Sequence, residues 1–346
     1  MPEAFRNILI IKPSALGDIV QALPALSALR RSFPDAEISW LIRPEFAPLV
    51  QNHPHLTRVV NFDRRFLGKA WFHTGAFAAL LSLFRRLRHS EFDIVFDFQG
   101  LFRTAFLTRV SGCGKRFGLA DAREFSRLFY THTVKKPLNS PHVVDYYINL
   151  VRAAGAADLK VEFILPRDAP AEESMNRLLA ATGIHSQRYA VLIPGSAHPD
   201  KRWPIERFAQ LADRLSRDYD ISIVATGTSS EAPLSDKLVQ SAGVSIANLA
   251  GRTSIPELTA LLRGAALVVS NDTGPGHIAA ALGRPIVMIF GWSNPARLAP
   301  YGRANTVAAI DPKGRGHLLH SKNPIHDIRL ITLDDVYQKV QMQLNS

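Results

Sequence analysis

The sequence predicts an α/β protein of two domains, each a parallel sheet covered by helices, and three observations lead there. Its 346 residues are more than one domain usually holds. Short β-branched runs alternate with longer stretches of helical period, and such alternation needs crossover connections between parallel strands. The pattern stops once, in AAGAADLKVEFILPRDAP, and then restarts.

Taken in order, Asn7–Lys12 reads as a strand and Asp18–Arg31 as a helix with Ile19, Leu23, Leu26 and Leu29 along one side. Ser39–Ile42, Arg58–Phe62 and Asp93–Phe98 continue the strand pattern, and a helix near Val143–Ala154 precedes the break. Beyond it, Tyr189–Ile193, Ile221–Ala225, Ala266–Ser270 and Ile286–Ile289 are strands separated by helices. We therefore expect domains at 1–160 and 161–330. Two such halves should present the carboxyl ends of their strands to a shared cleft, where ligands of open α/β sheets sit.

Composition narrows the class. Hydrophobic residues at 47% and charged residues at 21% suit packed cores. The lone Cys113 cannot form an internal disulfide and fits a reducing compartment, the cytoplasm. Apolar runs such as Ala76–Leu81 are far shorter than the ~20 residues that cross a bilayer, and the first residues do not read as a secretory signal. The net charge is +11, and residues 1–165 hold 22 basic against 14 acidic side chains, so the amino-terminal half should face the more anionic partner. Nucleic acid, an anionic membrane and a phosphorylated substrate all meet that description.

Three strand-to-turn segments carry candidate chemistry. In KPSALGDIVQALPAL, Lys12–Leu26, the strand ends at Lys12, and a loop with Gly17 turns into a helix bearing Asp18 in its first turn. Asp18 reads either as a carboxylate that satisfies free helix amides or as a base able to take a proton from a substrate hydroxyl. In LVVSNDTGPGHIAAALGRPIVMIFG, Leu267–Gly291, a buried strand runs into Asp272, Thr273, Gly274, Pro275, Gly276 and His277. The glycines permit close backbone approach, and the amides at the helix start suit an anion such as a diphosphate. Asp, Thr and His together exceed what a tight turn needs. In VLIPGSAHPDKRWP, Val191–Pro204, Lys201 and Arg202 are either a solvated surface pair or donors to phosphate oxygens, one as a point charge and the other as a fork.

Other signals lead nowhere or stay open. Asp218, Tyr219 and Asp220 spell D-x-D but precede their strand, so no metal is assigned to them. Gly112, Gly114 and Gly118 have the wrong spacing for a dinucleotide fingerprint, which argues against a nicotinamide cofactor. His317 and His320 fall in a polar tail, and there is no H-E-x-x-H or paired C-x-x-C. The cluster Arg64, Arg65 and Lys69 precedes WFHTGAFAALLSLFRRLRHS, which ends in Arg85, Arg86 and Arg88. Those cations either suit a helix carboxyl end or serve an anionic membrane or acceptor.

The stretch IIKPSALGDIVQALPALSALRRSFPDAEISWLI, together with DKRWP and SNDTGPGHIAAALGRPIVMIFG, resembles the ADP-heptose:lipopolysaccharide heptosyltransferases, glycosyltransferase family 9. The resemblance runs from about Ile8 to Gly302. Arg64–Phe72, Phe96–Ala105 and Asp121–Tyr130 look closest to heptosyltransferase I, which adds the first heptose to Kdo on lipid A. It implies a GT-B fold: two Rossmann-like domains whose parallel sheets face each other across a cleft, the first binding the acceptor and the second the nucleotide sugar. It further implies a closing helix within 331–346 that packs back on the first domain.

The resemblance also implies an inverting transfer from ADP-heptose that needs no metal or other cofactor, with no nucleic-acid partner. By motif position, Asp18 is the general base and Lys201 the donor-phosphate lysine. Asp272, Thr273, Gly274 and His277 form the donor turn, and Ser196 and Glu231 fall near phosphate or ribose. Arg64, Arg65, Lys69 and Arg123 are candidates for an anionic acceptor of the Kdo-lipid A type, presented at the cytoplasmic face of the inner membrane. Two departures lie beside the expected donor pocket. Gly276 stands where many relatives have serine, and GWSNP at Gly291–Pro295 replaces G-P-T-D-P.

Overall fold

The computed structural model describes residues 5–184, 188–316 and 318–345. They form two units that divide between Pro166 and Arg167.

In the first unit the strands are β1 (Asn7–Ile11), β2 (Glu37–Ile42), β3 (Arg58–Asn61), β4 (Ile94–Asp97), β5 (Arg116–Leu119) and β6 (His132–Val134). The helices are α1 (Leu16–Ser32), α2 (Arg64–Leu67), α3 (Thr74–His89), α4 (Phe102–Val110) and α5 (Val143–Ala153). The sheet runs β3-β2-β1-β4-β5-β6 with every pair parallel. β4 is buried throughout and β1 at all but its first residue, as central strands covered on both faces must be.

The boundary falls a few residues later than composition predicts because a polar segment is tied to the end of α1. Arg31 donates to Glu162 (2.9 Å) and to the Lys160 carbonyl (2.5 Å), and Ser32 Oγ accepts from the amides of Ala157 and Asp158.

The second unit repeats the winding. Its helices are α6 (Ala169–Ala181), α7 (Ile205–Tyr219), α8 (Ala232–Ser241), α9 (Ile255–Gly264), α10 (Gly274–Ala281), α11 (Pro295–Leu298) and α12 (Leu333–Leu344). Its strands are β7 (Tyr189–Ile193), β8 (Ser222–Ala225), β9 (Ile246–Asn248), β10 (Leu267–Asn271), β11 (Ile286–Ile289) and β12 (Val307–Ala308), in parallel order β12-β11-β10-β7-β8-β9. Read from its own first strand, this is the order of the first sheet. Each sheet therefore has one point where the winding reverses, between β1 and β4 and between β7 and β10. There the loops leave the strand ends in opposite directions and open a crevice.

The closing helix belongs to the second unit. α12 buries Val336 and Val340 in the core of the second unit, among Leu267, Val287, Ile289 and Ala308. Arg214 pairs with Asp334 (2.6 Å), and Trp203 Nε1 donates to the Ile331 carbonyl (2.8 Å) just before the helix. The helix is thus part of the second unit's own core. Its apolar stripe completes the covering of β10 and β11. Among the described residues no helix is long and apolar enough to cross a membrane.

Val336→Ala and Val340→Ala should each cost about 2 kcal/mol, the transfer of two methyl groups plus a small void. Urea unfolding checks this, and unchanged stability in both would mean that α12 is not seated on the second sheet.

Candidate active site

The two reversal points are where the polar residues gather. In the second unit β10 ends at Asn271, and the chain continues through Asp272 and Thr273 into α10. Asp272 is buried, and its two oxygens are divided: Oδ2 meets Lys201 Nζ at 2.8 Å and Oδ1 meets His277 Nε2 at 3.4 Å. Burial, the largest influence, pushes the Asp272 carboxyl up, but the hydrogen bond from His277 and the charge on Lys201 outweigh it. The carboxyl is held well below the usual range.

α10 starts without a side-chain cap, because Thr273 Oγ1 turns to Ser270 Oγ at 3.0 Å. The amides of its first turn are left for water or an anion, at the positive end of the helix dipole. Gly276 has a packing reason: a Cβ there would meet Ser270 Oγ at 2.8 Å.

The loop after β7 is fixed against this turn. Asn271 is fully buried, accepts from Trp203 N (3.1 Å) and donates to the Pro194 carbonyl (2.8 Å). Arg202 donates through Nε and Nη2 to the Ser196 carbonyl (2.9 and 2.6 Å), so its fork holds the loop and only Lys201 of the pair faces Asp272. Ser196 is buried beside Gly195, whose Cα lies so close to Glu231 that a Cβ would come within 2.4 Å of that carboxylate. Glu231 in turn accepts from Thr228 N and Oγ1, both at 2.8 Å. Ser196, Glu231, Lys201, Asp272, Thr273, Gly274 and His277 thus all fall on turns after β7, β8 and β10, at one edge of one sheet.

In the first unit Asp18 follows β1. Its Oδ2 accepts from the Ala15 amide (3.3 Å) and lies 3.4 Å from Lys12 Nζ, while 42% of the side chain stays exposed. It therefore both supports the helix start and remains open to a ligand. Lys12, which sequence reasoning passed over, is almost fully buried and lies 5.7 Å from the centre of the Tyr147 ring. Burial works against its charge, yet Asp18 and Tyr147 prevail and raise its pKa above the usual lysine value.

Asp97, also passed over, ends β4 opposite Ile11 of β1. It accepts from Tyr130 Oη (2.7 Å) and from the amides of Gln99 (2.8 Å) and Gly100 (3.2 Å), and burial pushes its carboxyl up despite them. The signal for both was a charged residue at the end of a wholly apolar strand.

The acceptor candidates lie in two places. Arg64, Arg65 and Lys69 are exposed on and after α2, whose start Asp63 caps by accepting from the amides of Arg65 and Phe66 (3.0 Å each). Arg123 is exposed on the turn after β5, tied by its amide to the Gly100 carbonyl at 2.9 Å. Asp218, of the discarded D-x-D, pairs with Arg217 at 2.8 Å. His320, set aside as tail, stands in electrostatic reach of Lys201 and Asp272; partial desolvation first, then the charge of Lys201, lower its pKa. His317 lies outside the described residues.

The Escherichia coli heptosyltransferase WaaC with ADP-2-deoxy-2-fluoro heptose matches 98% of this chain and 100% of its own, with TM-score 0.75 and 26% identity. Two doubly wound units, each carrying its polar turns at its reversal point, are the GT-B architecture shared with that glycosyltransferase. Residues 80–326 match glycosyltransferase family 9 (heptosyltransferase), and the chain belongs to that family. It is 30% identical over 309 residues to lipopolysaccharide heptosyltransferase 1 of Pseudomonas aeruginosa, 88% of this chain and 84% of that protein. It is 27% identical over 315 residues to the lipopolysaccharide core heptosyltransferase OpsX of Haemophilus influenzae, 89% of this chain and 85% of the other.

Because Asp272 is depressed in the folded state, it stabilises the protein at every pH above the unfolded aspartate value near 3.9 and loses that effect as pH falls below it. Asp272→Asn should cost about 3–5 kcal/mol at neutral pH by leaving Lys201 without its charge partner. The gap to wild type should narrow below about pH 4. Urea unfolding across that range checks it, and a gap independent of pH would mean that the carboxylate carries no charge-dependent stability.

Proposed function

We propose that the chain is an inverting heptosyltransferase that moves heptose from ADP-heptose to a Kdo residue of the lipopolysaccharide inner core. The observation that carries this reading is the buried Asp272 holding Lys201 and His277 beside the uncapped start of α10. Few ligands need a fixed cation and a row of amides together, and a diphosphate leaving group is one. The names of the relatives, a lipopolysaccharide core heptosyltransferase and a heptosyltransferase 1, supply the sugar and the acceptor class.

In this mechanism the second unit binds the donor. Lys201 and the amides of Thr273 and Gly274 meet the diphosphate, and Ser196 and Glu231 lie toward phosphate and ribose. The first unit binds the acceptor, with Arg64, Arg65, Lys69 and Arg123 on its carboxylates and phosphates. Asp18 removes the hydroxyl proton as the acceptor oxygen attacks the anomeric carbon from the face opposite the diphosphate. A carbon–oxygen bond forms, the bond to the phosphate oxygen breaks, and the electron pair leaves with ADP. One displacement inverts the anomeric centre. The negative charge that grows on ADP is offset by Lys201 and the helix amides, so these side chains ask for no metal at this step. Gly276 and GWSNP bear on which nucleotide sugar fits, and the same chemistry serves another family donor or acceptor.

Mass spectrometry of the acceptor product, with wild type and Asp18→Asn in parallel and each candidate donor, tests the reading. The substitution keeps the shape and removes the base, so transfer should fall by about 10²–10⁴-fold. Transfer by the variant at the wild-type rate would remove Asp18 as the base, and transfer from another donor only would replace the sugar.

A further inference from the structure

The segment after β11 departs from G-P-T-D-P, and the departure has a structural counterpart. In GWSNP, Gly291–Pro295, Asn294 occupies the aspartate position. Asn294 is fully buried, and its Nδ2 donates to the carbonyls of Gly316 (2.9 Å) and Leu318 (2.7 Å). Its Oδ1 accepts from the Ala296 amide (3.0 Å) at the start of α11, a task that a carboxylate performs equally well. A carboxylate has no proton for the two carbonyls, however, and would set its second oxygen against them. The asparagine is therefore matched to the segment that lies on it.

That segment, 318–321, is pinned on both sides of His320. The Asn294 amide donates to the Leu319 carbonyl (3.1 Å) and the Ser321 amide to the Trp292 carbonyl (2.8 Å), which sets His320 opposite Ser293. Arg315 is buried and donates to the carbonyls of Ser293 and Ile310, both at 2.6 Å. Ser321 is buried as well, with Oγ 2.6 Å from His326 Nδ1. Between these anchors His320 itself is exposed.

The braced histidine stands beside the turn after β10. The Asp272 amide donates to the Ile289 carbonyl (3.1 Å), so that turn abuts the exit of β11. The charged and titratable groups that act on His320 are Lys201, His198 and Asp200 of the loop after β7 and Asp272 of the turn. Partial desolvation first, then the charge of Lys201, lower its pKa. Its ring makes no hydrogen bond among the described residues, and no step of the transfer uses it. An exposed imidazole on a fixed backbone beside an ammonium is suited to donate to an anion and to take up a proton when one binds.

We propose that His320 is a donor-binding residue that donates a hydrogen bond to the diphosphate beside Lys201, and that Asn294 is the positioning residue that holds it there. The proposal rests on the reading that this turn receives the diphosphate of a nucleotide sugar. A bound diphosphate offsets the charge of Lys201 and so favours protonated His320, which means that binding tightens as pH falls through the histidine range. The diphosphate of a nucleotide sugar is esterified at both ends and does not titrate there itself.

The test is calorimetric titration of ADP-heptose into the full chain, without acceptor, at about pH 8 and about pH 6. Wild type should bind several-fold more tightly at the lower pH. His320→Ala should lose that dependence and bind about tenfold more weakly than wild type at about pH 6, with an unchanged melting temperature. His198→Ala should keep the dependence. Asn294→Asp should weaken binding as His320→Ala does, and the two together should bind no more weakly than His320→Ala alone.

Wild-type affinity and pH dependence in His320→Ala would overturn this proposal while leaving the donor reading intact, and so would a dependence that disappears with His198 instead. Losses that multiply in the double variant, or wild-type binding by Asn294→Asp, would overturn the role of Asn294. Absence of ADP-heptose binding by wild type at both pH values would overturn the donor reading and this proposal with it.

Discussion

A parallel sheet covered on both faces has no room for polar chemistry except at the ends of its strands, and the molecule is arranged around that constraint. β1, β4, β7 and β10 are almost wholly buried and apolar. Polar and charged groups therefore stand where the chain leaves the core, and at the carboxyl ends these are Lys12, Asp97, Asn271 and Asp272. The reversal of winding between β1 and β4, and between β7 and β10, then separates the departing loops and lets side chains converge. Lys12, Asp18 and Asp97 converge at the first reversal, and Lys201, Asp272 and His277 at the second. Neither set needs a specialised fold, only two neighbouring strands that end in polar residues.

The two sets solve different electrostatic problems. In the second unit the anion is buried and the cation reaches outward: Asp272 is 6% exposed and Lys201 18%. The carboxylate fixes the ammonium by one of its three protons, which leaves the remaining donors with a defined direction. In the first unit the order is reversed, with Lys12 at 3% exposure and Asp18 at 42%. A buried cation there keeps a half-exposed carboxylate in place without covering it. The first arrangement suits a group that receives a negative ligand, and the second a group that must accept a proton. His320 stands in electrostatic reach of Lys201 and Asp272, and Arg315 of the same loop donates to the Ser293 carbonyl at 2.6 Å.

Much of this was legible in the sequence because period and punctuation report burial directly. The central strands read as apolar runs, and Tyr189–Ile193 and Ile286–Ile289 appear with the boundaries expected. The turn after β10 was readable because glycine, aspartate, threonine and histidine crowd one strand end. The short strands β6, β9 and β12, of three, three and two residues, were not, since they sit on sheet edges and carry no run of β-branched residues. An amphipathic stripe tells which side of a helix is buried but not which sheet buries it, and only the structure shows the stripe of α12 in the core of the second unit. Arg202 and Lys201 look alike in sequence, and only the position of the Ser196 carbonyl shows that one holds the loop and the other faces the carboxylate. Lys12 and Asp97 were missed for the opposite reason, as single charges at the ends of strands whose apolar character dominated the reading.

In the proposed reaction Asp272 aims Lys201 at charge that appears on the leaving diphosphate. The most direct measurement compares donor affinity, from equilibrium titration with ADP-heptose, with the single-turnover rate of sugar transfer in wild type and Lys201→Ala. If Lys201 acts on developing charge, the rate should fall by about 10²–10³-fold while affinity changes only a few-fold. An equal loss in both, or a loss of affinity alone, would show that Lys201 only holds the ground-state donor and would contradict the account.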